Sequence, residues 1–191
     1  SAALIVAAST LVTPASATPE QDLKTFQEFF AKKFKDVEFK EFANGAYALN
    51  ADQRAQWESI EELPPYEMDI DKGREMWNKP FKNGKSFKDC FGADIKAIRA
   101  QFPRYDEASD SIQNIDSMVN ACLKANGEEE LKYRKGPIAA LTAYIAYEGR
   151  GTKIDVKVPE KAQKWYDLGK QVYFTKRGQL NLSCADCHMQ N

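Results

Sequence analysis

Two cysteines and the only histidine of the sequence stand together as Cys184-Ala185-Asp186-Cys187-His188. Two thiols at that spacing can reach the two vinyl groups of one porphyrin and form thioethers. A histidine immediately after them can present its imidazole to the iron, and its second ring nitrogen can donate to a backbone carbonyl that fixes the ring. The pattern predicts one haem c attached through Cys184 and Cys187, with His188 as an axial ligand of the iron. Three other chemistries use the same residue types. Thioredoxin-like exchange also employs Cys-x-x-Cys, but no βαβ pattern surrounds the motif. Zinc would need a fourth ligand in register, and the only other thiols are Cys90 and Cys122. A disulfide between Cys184 and Cys187 would close a tight loop and stabilise little.

Cys90 is followed by Phe91 and belongs to no Cys-x-x-Cys, so it cannot anchor a haem in the usual way. With Cys184 and Cys187 assigned to haem, elimination pairs Cys90 with Cys122, closing a loop of about 30 residues. Two separate buried thiols are the alternative. The single histidine excludes multi-histidine zinc sites and ties any triad or metal site to His188. Lys176 and Arg177 precede the motif, where they could meet haem propionates or an anionic substrate, although solvated surface charge is the plainer expectation. Met68, Met76 and Met118 read as core rather than as iron ligands. Met189 adjoins His188 and cannot swing to the opposite face of the same iron.

The elements that must position these groups read as helical. Leu23, Phe26, Phe29, Phe30 and Phe34 recur at spacings of three and four, which predicts an amphipathic helix from Glu20 to Phe34. The stretch with Tyr47, Trp57 and Pro64-Pro65-Tyr66 reads as an extended arm. A helix over about 71–78 carries Met76 and Trp77. Asn83-Gly84 and Phe102-Pro103-Arg104-Tyr105 mark loops. Ile112, Ile115, Met118, Val119 and Cys122 have helical spacing. Gly136-Pro137 opens an apolar helix that Gly149 and Gly151 end. Val156 to Pro159 is a short linker, after which a helix runs to about Thr175. Gly73 to Trp77 and Gly169 to Tyr173 each place an aromatic four residues after a glycine, and each leads through a glycine-containing loop to cysteine. They suggest a weak internal repeat.

Composition bounds the function classes. Lys and Arg number 27 against 28 Asp and Glu, a net charge of -1, so no basic surplus exists for a nucleic-acid partner. A hydrophobic fraction of 43% with 12% aromatics belongs to a globular chain, long enough for one large domain or two small ones. Residues 1–17, an apolar run ending in Ala15-Ser16-Ala17, read as the remnant of a secretory signal peptide. No other stretch is apolar for long enough to span a membrane. A periplasmic protein is expected, in a compartment where disulfides persist.

The run from Phe174 to Asn191 closely resembles the SoxA family, the larger c-type cytochrome subunit of the bacterial SoxAX sulfur-oxidation complex. Similar matches are Phe42 to Tyr47, Pro64-Pro65-Tyr66-Glu67, Phe102 to Tyr105, and Lys135 to Tyr144, so the resemblance covers nearly all of residues 20–191. It implies a mainly α fold of tandem cytochrome c-like domains. An N-terminal helix and extended arm (18–66) would lead into a haem-free domain (67–152), in which a disulfide replaces the cofactor. The start of a truncated haem-binding cytochrome c domain (160–191) would follow.

The implied activity is that of an L-cysteine S-thiosulfotransferase subunit. Thiosulfate is joined oxidatively to a cysteine of a SoxYZ-like carrier protein, with electrons passing through haem c to a SoxX-like small cytochrome in a heterodimer. The family's persulfide-modified cysteine ligand and a nearby arginine lie well C-terminal to the motif. They fall beyond Asn191, and no catalytic residue is assigned in the sequence. Two other function classes remain: an exported electron-transfer cytochrome without substrate chemistry, and a haem-free interaction protein.

Overall fold

The structure is a computed structural model that describes residues 17–190. The predicted leader, residues 1–17, lies outside the described residues except for Ala17. The chain divides into two compact units, residues 1–39 and 40–191. In the first, helix α1 (Pro19–Lys33) is started by a capping box. Thr18 Oγ1 accepts from the Gln21 N–H and the Gln21 side chain accepts from the Thr18 N–H, with Pro19 at the first helical position. Glu20 and Asp22 in the first turn and Lys32 and Lys33 in the last complement the helix dipole. Phe26 meets Phe30 edge-on (4.9 Å between ring centroids), and Phe30 stacks on Phe34 (6.3 Å).

The second unit begins within 3-10 turns over Phe39–Ala48 and continues through α2 (Ala51–Glu61) and α3 (Glu67–Asn78). Short helices α4 (Phe87–Phe91) and α5 (Ile95–Ile98) follow, then the hairpin β1 (Arg104–Asp106) and β2 (Ser111–Gln113). After these come α6 (Ile115–Ala125), α7 (Pro137–Glu148) and α8 (Gln163–Phe174). The two strands pair antiparallel, with Tyr105 opposite Ile112.

Several expectations are corrected. The arm predicted as extended is helical, because Asn50 caps α2 through the Gln53 N–H and the residues of α2 favour helix without an apolar period to betray it. Its end is anchored where the Tyr66 hydroxyl donates to Glu61 and the Arg150 guanidinium donates to both. That carboxylate raises the Tyr66 pKa above the usual phenol value. The loop expected at Phe102–Tyr105 runs into β1, and Ile112, expected on a helix with Ile115, lies in β2, because Asn114 caps α6 and starts it only at Ile115.

The core lies between α3 and α7, with α4, α5 and α6 around it. Ile138, Leu141, Ile145 and Val119 are fully buried, with Trp77, Phe87, Ile98, Phe102 and Leu123 packed among them. Helix α7 is apolar over most of its surface, as an enclosed helix must be. Gly136 supplies the positive φ that turns the chain into Pro137. At the closest crossing, a Cβ on Gly73 would stand 2.6 Å from Tyr144 Cβ and 2.8 Å from the Ala140 carbonyl carbon. Only glycine lets α3 come so near. The buried Asn120 side chain donates to the Leu131 carbonyl (2.9 Å) and accepts from its N–H (2.8 Å), tying down the chain between α6 and α7. Met76 and Met118 pack against the core, but Met68 is exposed, contrary to expectation.

Cys90 and Cys122 form a disulfide that ties α4 to α6 across 32 residues. The hairpin in turn holds the start of α8. Asp110 pairs with Lys164 and accepts from Trp165 Nε1 (3.4 Å) and the Tyr105 hydroxyl (2.9 Å), while Glu107 pairs with Lys161.

Candidate functional site

Helix α8 ends where the Thr175 N–H and hydroxyl both donate to the Gln171 carbonyl. The Arg177 guanidinium donates to the Val172 carbonyl, satisfying another open acceptor of the last turn. Arg177 and Leu182 then exchange backbone hydrogen bonds (3.1 and 3.2 Å) and close a small loop between them. This loop delivers the chain to Ser183. There Asp186 Oδ2 accepts from the Ser183 N–H (2.7 Å) and hydroxyl (2.9 Å), and the Asp186 N–H donates back to Ser183 Oγ (3.2 Å). These reciprocal bonds form a capping box, and they start the helical turn that carries the motif.

Residues 184 and 185 are α-helical, and Asp186–Gln190 continue with π-type bonding. Cys184 and Cys187 are three residues apart in this turn. Both are free thiols and both are exposed, as is His188, whereas Ser183 and Ala185 are buried. The two Ser183 donors hold the Asp186 carboxyl below the ordinary carboxylate range, with Lys176 (3.5 Å) adding to the shift. The two cations that could have met an anion are thus engaged locally, Lys176 with Asp186 and Arg177 with the end of α8.

The same construction occurs earlier in the chain. Asp89 accepts from the Ser86 N–H (2.7 Å) and hydroxyl (3.0 Å) at the start of α4, and the Ser86 bonds lower the Asp89 pKa. Ser86-Phe87-Lys88-Asp89-Cys90-Phe91 therefore aligns with Ser183-Cys184-Ala185-Asp186-Cys187-His188. In this register Cys90 matches Cys187, while Phe87 and Phe91 replace Cys184 and His188. Phe87 stacks on Trp77 (5.9 Å between ring centroids) and meets Phe81 edge-on (5.0 Å), with Phe91 at 5.8 Å from Trp77. Rings occupy the places that Cys184 and His188 hold in the later turn, and the remaining cysteine is bonded to Cys122. Sequence reasoning matched the two segments by glycine, aromatic and cysteine alone and missed Ser183 and Asp186. The repeated Ser-x-x-Asp-Cys was the available signal.

The two cysteine sets differ in their fit to haem c. The turn at residues 183–188 offers two free, exposed thiols and an adjacent exposed imidazole. The turn at residues 86–91 offers no histidine and no free thiol. Among the described residues, no three His, Cys, Asp or Glu side chains converge as a metal cluster, so the zinc alternative lacks a ligand set. The two strands form one antiparallel hairpin, without the βαβ frame of a thioredoxin-like site. An open groove of about 570 Å³, lined by Arg99, Phe102, Asn114, Ile115, Ala139 and Ala143 among others, contains none of the predicted site residues.

Residues 72–154 match the family described as "SoxA/TsdA, cytochrome c domain". The fold is thus that of a cytochrome c domain, a class whose cofactor is haem c. Over 172 residues the chain is 46% identical to the L-cysteine S-thiosulfotransferase subunit SoxA of Chlorobaculum tepidum, covering 90% of this chain and 60% of that protein. It is 45% identical over 193 residues to the SoxA subunit of Allochromatium vinosum, covering 98% of this chain and 68% of that one. The crystal structure of SoxXA from P. pantotrophus superposes with a TM-score of 0.59 at 29% identity, over 70% of this chain and 55% of the other. The chain belongs to the SoxA family. It spans about six-tenths of the length of these relatives. No helix among the described residues is long and apolar enough to cross a membrane.

Proposed function

We propose that this chain acts as the cytochrome subunit of a periplasmic thiosulfotransferase, carrying one haem c on Cys184 and Cys187 with His188 as axial ligand. Cys184 and Cys187 would hold the haem through thioether links, and His188 would ligate its iron. Haem c held there supplies a one-electron redox centre. The reaction of the assembled enzyme joins thiosulfate to a carrier cysteine thiolate through a new S–S bond and releases two electrons. The acceptor partner is a SoxX-like small cytochrome, and the cysteine belongs to a SoxYZ-like carrier.

The chain's own residues do three things in this scheme. The hairpin seats α8 through Asp110 and Glu107, the Arg177–Leu182 loop redirects the chain, and the Ser183 turn leaves both thiols and the imidazole exposed. The observation that carries the reading is that exposed turn, in which two free thiols and the only histidine stand together.

The test is expression with export in a host equipped for c-type cytochrome maturation, followed by intact mass after denaturation. The expected result is one haem added per chain, lost in the C184A/C187A double variant. A chain of unmodified mass overturns the reading. Given haem attachment, thiosulfate-dependent mass addition to the carrier cysteine in the assembled complex identifies the transferase. Its absence leaves an electron-transfer cytochrome.

A further inference from the structure

We infer that Ser183 and Asp186 are positioning residues that preform the haem-attachment turn before haem arrives, an inference that rests on the assignment of Cys184 and Cys187 as the attachment thiols. Three observations carry it. All three bonds of the box lie at 2.7–3.2 Å. It recurs at Ser86 and Asp89, in a turn where the haem residues are replaced by Phe87 and Phe91, so its formation does not depend on the cofactor. Finally, Ser183 and Ala185 face inward while Cys184, Cys187 and His188 face outward, so the box fixes which side of the turn the chemistry occupies.

A free Cys-x-x-Cys-His strand samples many backbone states, and each thiol must find its vinyl group separately. Holding the turn helical makes the second attachment effectively intramolecular, with its partner already placed. A short helical segment does not hold itself, because nucleation is unfavourable and its first N–H groups lack partners. The Ser183 hydroxyl and the Asp186 carboxylate supply those missing bonds. Lys176, 3.5 Å from the other carboxylate oxygen, links the box to the loop that precedes it.

The test compares the wild-type chain with S183A, D186N and S183T. In the haem-free chain, amide exchange at residues 186–188 is expected to accelerate roughly five-fold in S183A and D186N, the factor a lost cap corresponds to, and to stay near wild type in S183T. In the exported chain with maturation machinery, the fraction bearing haem mass is expected to fall severalfold in the first two variants and to recover in S183T. Rescue by threonine separates a cap from general loss of fold. A wild-type chain without haem mass removes the assignment on which the inference rests, and the inference with it. A wild-type chain with haem, alongside S183A and D186N chains loaded to the same extent, overturns this inference alone. Unchanged exchange in those variants overturns it equally.

Discussion

Gly73 and Gly169 occupy matching places in the two repeated helices, and alanine should move stability in opposite directions at the two sites. In a helix interior, alanine is favoured over glycine by about 0.5–1 kcal/mol. At Gly169 nothing lies within 4 Å of the added methyl, so G169A should realise that gain. At Gly73 the methyl would stand 2.6 Å from Tyr144 Cβ and 2.8 Å from the Ala140 carbonyl carbon, and closer still to the Ala140 oxygen. Two of those three neighbours are backbone and cannot rotate away. Helices α3 and α7 must separate by a fraction of an ångström, and gaps of that size forfeit a quarter to a half of the dispersion energy along the seam. Overpacking of this kind costs about 1–3 kcal/mol, and the rigidity of the neighbours places G73A at the upper end, leaving a net loss of ~2 kcal/mol after the propensity gain. For a chain of this size, 1 kcal/mol moves Tm by about 2–4 °C. Thermal melts followed by far-UV circular dichroism should show G73A lower by ~4–8 °C and G169A higher by ~2 °C. A G73A melt at or above wild type would refute the close-crossing account of the core.

Two further outcomes follow from the fold. Replacing Cys90 and Cys122 together by alanine releases a loop of 32 residues, worth ~4 kcal/mol by the chain-entropy relation, so urea unfolding should shift to a much lower midpoint. Reductant should produce the same shift in the wild type and none in the variant, and an unmoved midpoint would count against the cross-link. Asp89, Asp106 and Asp110 have carboxyls held below their ordinary values, chiefly by Ser86, Ser109 and Lys164 respectively. A depressed folded pKa means that the stabilisation is present above the unfolded value, near 4, and is lost as pH falls through the folded value. Denaturant midpoints should hold from pH 7 to 5 and decline below 4. The D89N/D106N/D110N triple variant should start lower and decline less steeply, and an identical slope would reject the assignment.

Much of this architecture was legible because its signals are local. Gly136-Pro137 and Gly149 bracket α7 almost to the residue, and the aromatic period locates α1. The Cys90–Cys122 pairing followed from elimination, since two cysteines have only one way to pair. What escaped lacks a strong local signal. Helix α2 has no apolar stripe, and its propensity is spread thinly over polar residues such as Gln53, Arg54 and Gln56. Strands of three residues, as in β1 and β2, are too short to show alternation. The capping boxes escape a repeat matched on glycine, aromatic and cysteine residues, because serine and aspartate carry no apolar period. Met68 shows the converse error, since a large apolar side chain was taken for core and stands at 72% exposure.

The aligned turns give the four cysteines opposite redox needs within one polypeptide. Cys90 and Cys122 must lose electrons to make their cross-link, whereas the proposed haem attachment requires Cys184 and Cys187 to stay reduced. Sequence position alone does not sort the pairs, because Cys90 and Cys187 occupy the same place in the repeat. Burial does: Cys122 lies inside the core beside Cys90, and the other two thiols stand in solvent. Closure of the Cys90–Cys122 bond takes those two cysteines out of circulation. The second pair is then left with each other as the only wrong partners, and any reductant that serves them during assembly meets a first bond already shielded by the core.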